Sequence, residues 1–134
     1  MTMERPRIRL GNKNAWVELA QTGEDDWRIS ADWCSLLKAD FAAWLSREEA
    51  VGFATRMLAQ LDASSGARFA VAVTPGRNNP LTLNADPVGD GYAFYAWLTP
   101  NGDDEAAHLQ LDMNPVPTAE LRDVFRTFRA SLLR

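Results

Sequence analysis

Hydrophobic side chains alternate with polar ones along most of this chain, and the alternation gives way to a helical period twice. Ile8 and Leu10 open a first short strand, and Gly11-Asn12-Lys13-Asn14 turns into a second over residues 15–20. The loop Thr22-Gly23-Glu24-Asp25-Asp26 leads to a third strand over 27–33. There Trp27, Ile29, Ala31 and Trp33 share one face, and Arg28, Ser30 and Asp32 the other. A fourth strand, over 37–45, places Phe41, Ala43 and Leu45 together. The period then changes. Ser46-Arg47-Glu48-Glu49 has the form of a capping box, in which the serine hydroxyl accepts from the Glu49 amide and the Glu49 carboxylate accepts from the Ser46 amide. Behind it Ala50, Phe53, Ala54, Met57, Leu58 and Leu61 fall on one helical stripe, which Ser64-Ser65-Gly66 ends.

Alternation resumes over 68–74 with Phe69, Val71 and Val73 on one face, and Pro75-Gly76-Arg77-Asn78-Asn79-Pro80 is a loop. Leu81, Leu83 and Ala85 mark the next strand, and Gly89-Asp90-Gly91 turns into another over 92–98. Pro100-Asn101-Gly102-Asp103-Asp104 supplies a hairpin connection, since Asn and Gly tolerate positive φ. The last strand, over 106–113, points Ala107, Leu109, Leu111 and Met113 one way and His108, Gln110 and Asp112 the other. Pro117 opens a C-terminal helix, where a missing amide proton costs nothing. Leu121, Val124, Phe125, Phe128 and Leu132 are its buried stripe, and Arg126, Arg129 and Arg134 lie toward the negative end of its dipole. The order strands, helix, strands, helix with short linkers predicts an α+β fold. It should hold a largely antiparallel sheet of about eight short strands, with two amphipathic helices over one face. At 134 residues, 1–134 is the size of a single α+β domain, and no internal repeat is visible.

Composition agrees with a packed interior: 46% of residues are hydrophobic and five are tryptophan. No apolar run approaches the roughly 20 residues that span a bilayer. The charged start, Met1-Thr2-Met3-Glu4-Arg5, lacks the apolar stretch of a signal peptide. Cys34 is the only cysteine, so neither an internal disulfide nor a thiolate metal cluster can form. A soluble cytoplasmic protein is expected. Charge is unevenly spread. Residues 10–117 carry 7 basic and 15 acidic side chains, a net of −8, while each flanking segment carries +2. An acidic body repels nucleic acid and steers a basic protein partner, although it also serves plain solubility.

Catalytic chemistry finds little support. The lone His108 sits on a polar strand face with no partner base or nucleophile in a motif, and a structural histidine outweighs a proton shuttle. Cys34 beside Trp33 reads as a small half-buried thiol. Glu24-Asp25-Asp26 and Asp103-Asp104-Glu105 lack the alternating ligands and central glycine of a calcium loop, so solvated turn charge is the better account. Gly89-Asp90-Gly91 is no dinucleotide fingerprint. No metal or cofactor is expected. Aromatics are the remaining signal: Trp16, Trp27, Trp33, Trp44 and Trp97 all lie on predicted strands. If Tyr92, Phe94, Ala96 and Leu98 face the helices, Tyr95 and Trp97 face away. They then serve as interface anchors, unless loops cover them.

The stretch Asp40-Phe41-Ala42-Ala43-Trp44-Leu45-Ser46-Arg47-Glu48-Glu49, running into Phe53 and Leu58, resembles a strand-then-helix segment of WapI-type bacterial immunity proteins. So does the half from Gly91-Tyr92-Ala93-Phe94-Tyr95-Ala96-Trp97-Leu98 through the acidic hairpin and Leu109-Gln110-Leu111-Asp112 to Pro117-Thr118-Ala119-Glu120-Leu121. The resemblance rests on alternating apolar residues and capped helices and covers the chain from about residue 16. It implies a stoichiometric inhibitor that masks a contact-dependent toxin domain, often a nuclease, with no catalytic residues of its own. The expected function is therefore an immunity-like protein that occludes a basic toxin through Glu24, Asp25, Asp26, Asp103, Asp104 and Glu105 with Tyr95 and Trp97. The alternatives are a structural or regulatory interaction module of a larger complex, and a small-ligand binder or unusual hydrolase working with Asp and Glu.

Overall fold

The turn residues and the two periods sort the chain into two halves of identical order in the computed structural model, which describes residues 5–63, 66–103 and 105–134. The first half is β1 (Arg7–Gly11), β2 (Ala15–Gln21), β3 (Asp26–Trp33), β4 (Leu37–Trp44) and α1 (Arg47–Asp62). The second is β5 (Phe69–Ala72), β6 (Leu81–Val88), β7 (Gly91–Leu98), β8 (Leu109–Pro117) and α2 (Thr118–Leu132). Each half is an antiparallel four-stranded meander followed by a helix, with sheet orders β1-β2-β3-β4 and β5-β6-β7-β8. The α+β class, the eight strands and the two helices are as the periodicity predicts. The strands divide into two sheets instead of one. The two halves repeat in the order of their strands and helix, not in residue identity.

Strand register follows the alternation. Ile8 and Leu10 face inward with Val17, Leu19, Trp27, Ile29 and Ala31, while Leu81, Leu83, Ala85, Phe94, Ala96, Leu98 and Leu111 do the same in the second sheet. These residues and the stripes of both helices form one core. Phe53 of α1 meets Phe125 of α2 edge to face at 5.8 Å, and Trp27 meets Phe128 at 6.1 Å. The helices also close each other's ends. Arg47, at the start of α1, donates through Nε to the Leu132 carbonyl of α2 at 2.7 Å. Arg122, early in α2, donates through Nη2 to the Leu61 carbonyl at 2.9 Å and pairs with Asp62 at 2.9 Å. Helix ends leave carbonyls without intrahelical partners, and each helix here receives a guanidinium from the other.

Three local expectations are corrected. The last strand begins at Leu109, not at residue 106, and Ala107 is exposed outside it. The cause is Asp103, whose side chain and carbonyl accept from the amides of Ala106 and Ala107 at 3.2 and 3.1 Å and bend the chain before it can pair. Pro117 does not open α2. It is the last residue of β8, opposite Gly91, and stands at the N-cap with φ −59° and ψ 142°. Gly91 is required there, because a Cβ would lie 2.1 Å from the Val116 carbonyl oxygen. Cys34 is exposed, not half-buried. It and Ser35 take φ of 54° and 60° in the tight turn after β3, which aims the thiol outward. The predicted helix stop at Ser64-Ser65 lies outside the described residues. α1 ends at Asp62 with Ala63 as its cap.

Candidate protein-binding site

Trp44 is the most prominent exposed aromatic. Phe41, Ala43 and Leu45 point to the core, so strand parity sends Trp44 outward, where it is 53% exposed. Directly across the β3–β4 pair stands Asp26. The Arg77 guanidinium lies 4.6 Å from the Trp44 ring centroid, a cation–π contact. Its Nη2 donates to the Trp44 carbonyl at 3.0 Å and to Glu49 Oε1 at 2.5 Å. Glu49 also accepts from the Ser46 amide at 2.9 Å, while its own amide donates to the Ser46 hydroxyl at 3.1 Å, completing the predicted capping box. Burial raises the Glu49 pKa, but the hydrogen bonds and charge of Arg77, together with the Ser46 bonds, outweigh it. The carboxyl is left below its ordinary value. The Trp44 platform is thus fixed in place by a helix cap, and little ordering remains to be done on binding.

Beside the ring runs a groove of about 280 Å³ lined by Asp26, Trp44, Arg77, Asn78, Pro80 and Asn101, among others. Asn78 and Asn101 hold φ of 23° and 59°, and Gly102 follows at 72°. A Cβ on Gly102 would lie 2.4 Å from Asn78 Cα, so the two loops meet only because that position is glycine.

The structure separates the residues that the sequence singles out. Asp26 belongs to β3 and faces this groove. Glu24 and Asp25 line another cleft, of about 520 Å³, with Arg5, Arg47, Glu48 and Arg134. Asp103 and Glu105 are exposed on the connection between β7 and β8, and Asp104 lies outside the described residues. Tyr95 and Trp97 do face away from the core, opposite Phe94, Ala96 and Leu98, and both are half-buried. Trp97 stacks on His108, with centroids 4.6 Å apart and planes 17° apart. Trp97 also lies opposite Thr82, whose hydroxyl accepts from Asn79 at 2.8 Å. Asn79 thereby links that face to the Asn78 loop of the groove. Trp44 and Arg77 were not among the expected site residues. The signal for Trp44 was present, because the same alternation that buries Phe41, Ala43 and Leu45 exposes it. Arg77 reaches Trp44 across 33 residues, which no local pattern encodes.

Ion pairing sorts the acids. Glu18 pairs with Arg9 at 2.6 Å, Asp40 with Arg28 at 2.5 Å and Asp86 with Arg68 at 3.0 Å. Asp32 approaches Lys38 at 3.9 Å. Among the described residues Glu24, Asp25, Asp26, Asp103 and Glu105 take part in no ion pair, so their charge is left for solvent or a partner. No group of three or more His, Cys, Asp or Glu side chains among the described residues is placed to hold a metal ion, and no helix among them is long and apolar enough to cross a membrane. No family model matches this chain, and no curated protein matches it either.

Proposed function

We propose that this chain is an immunity-like binding protein that occludes a basic bacterial toxin domain, nucleases among the targets, and performs no catalysis itself. The observation that carries it is the pairing of a rigid, exposed Trp44 with Asp26, an acid that no described Arg or Lys neutralises, beside a groove. Interfaces concentrate their affinity in a few aromatic anchors, and unneutralised rim charge sets how fast an oppositely charged partner arrives. Asp103 and Glu105 extend the same sign of charge along the connection that follows β7. A nuclease must attract phosphate, so its own surface suits such acids.

The test is titration of the purified chain against the basic toxin domain encoded by a neighbouring gene, with association rates measured at low and high salt. A stoichiometric complex that protects cells from the toxin, and whose association slows with salt, is expected. Absence of a complex, or association indifferent to salt, overturns it. A second reading, a structural or regulatory module of a larger complex, is favoured by the outer face of the second sheet. There Thr82, Asn84, Tyr95, Trp97 and Gln110 form an uncharged centre, with Asp112 beside Tyr95 and the Asp86–Arg68 pair at its margin, which suits a subunit contact with an apolar and polar centre and a charged rim.

A further inference from the structure

Two four-stranded sheets have four edges, and three are closed. β1 is flanked by α2 and β8. β5 has only four residues, and Arg56 donates to its Ala72 carbonyl at 2.7 Å. β8 is bulged against β7 and carries Pro115 and Pro117. β4 alone is long, regular and free of proline; the turn at Pro100–Gly102 packs against it, but among the described residues no strand pairs with its outer side. Such an edge is a template for another strand, and the exposed Lys38 and Asp40 restrict which strand can pair there.

The hydrogen bonds say which groups are free. Leu45 N–H donates to Asp25 C=O, so in antiparallel alternation the odd residues of β4 bond to β3 and the even ones turn outward. Trp44 agrees, since its carbonyl is met from the outer side by Arg77. That arginine and its loop close the Trp44 end of the edge and leave the backbone groups of Lys38, Asp40 and Ala42 open. We propose that a second copy of this chain pairs there, β4 against β4 about a two-fold axis at Ala39, so that Lys38 of each copy stands opposite Asp40 of the other.

Register decides the occupant. In an antiparallel edge pair built on the even residues, a shift of two residues in one direction sets Asp40 against Asp40, and in the other Lys38 against Lys38, both of which like charge disfavours. A further shift past Asp40 sets Lys38 against Trp44, beneath the Arg77 loop. Only the Ala39-centred register opposes unlike charges twice. It also brings Leu37, 47% exposed in the single chain, against Phe41 of the second copy on the inner face, and sets Leu36, 75% exposed, beside Ala42. Asp40 keeps Arg28 on one side and gains Lys38 of the second copy on the other. An isologous contact of this kind is self-complementary and closes on itself. Trp44 itself remains outside the paired segment, and the groove meets that segment at Ala42.

Sedimentation of the full chain across micromolar to millimolar concentrations reads the result directly. Wild type should move from the 14.9 kDa of one chain toward twice that mass. Lys38→Glu and Asp40→Lys, each folded by circular dichroism, should each lose at least tenfold in self-association, since both set like charges against each other. Mixed together they should form a heterodimer, because every acid that one variant presents at the two positions then faces a lysine of the other. A wild-type mass that stays at one chain overturns the proposal and leaves the edge to a strand of another protein. Single variants that dimerise like wild type, or a mixture that fails to pair while wild type dimerises, overturn it equally.

Discussion

Arg77 and Glu49 lie 28 residues apart in the chain and are joined by a 2.5 Å ion pair that ties the loop after β5 to the first turn of α1. The same carboxylate closes the helix cap, and the same guanidinium covers Trp44. Local helix chemistry and the geometry of the candidate site therefore share two side chains, and substitutions at either should be felt in both.

Glu49 gives the chain an acid-side pH dependence. Its folded pKa lies below its unfolded one, so its contribution is fully present above the ordinary value of 4.5 and is lost as pH falls through the folded pKa. Glu49→Gln should lower stability at neutral pH by about 1 kcal/mol, the usual scale for a lost cap interaction. It should also flatten the decline of stability below about pH 5. Urea denaturation at a series of pH values measures both, and a variant with the wild-type acid slope would show that Glu49 does not titrate in this way.

Ser46→Ala removes the other arm of the box. A loss of about 1 kcal/mol with the fold retained is expected, measured as a lowered denaturation midpoint. An unchanged midpoint would mean that the Ser46 hydroxyl adds nothing to the start of α1.

Trp44 and Asp26 should act on different phases of partner binding. Truncating Trp44 to alanine should speed dissociation on the order of tenfold or more, since buried aromatic anchors govern the off-rate. Asp26→Lys should instead slow association and weaken its salt dependence. Surface kinetics on both variants, with circular dichroism as a folding control, separate the two effects. Equal changes in both rate constants for both variants would contradict the division of roles.

Removing the two side chains best suited to proton or thiol chemistry should cost little. His108→Ala and Cys34→Ser should leave protection against the toxin within a few-fold of wild type, as measured by growth of cells expressing toxin and variant together. A loss of orders of magnitude from a folded variant would revive catalysis.

Much of the fold was legible because its signals are local. The stripe from Ala50 to Leu61 is buried as its spacing predicts, and the Ser46–Glu49 box forms with both bonds. Alternation alone put Tyr95 and Trp97 on the face away from the core. Long-range pairing was not legible. Nothing in the period of β4 or β5 says that the strands part into two sheets after α1, because alternation records which face is buried and not which strand lies alongside. Asp103 shows how a side chain can overrule alternation: by gathering the amides of Ala106 and Ala107 it takes Ala107 and His108 out of the strand. The candidate site suffered most. Glu24, Asp25 and Asp26 are consecutive, yet the step from loop to strand sends Asp26 to one groove and its neighbours to another cleft.

The arginines exchanged between the helices bear on how the molecule assembles. Arg47 closes the end of α2 and Arg122 closes the end of α1, so neither half contains everything its own helix needs. The two sheets and both helices share one core, and the helix ends are completed only when the halves dock. The covalent link after α1 then acts as a tether that sets the effective concentration at which two otherwise separate pieces meet. Cut at that link, the molecule becomes a pair of fragments whose affinity for each other measures the stability of the whole.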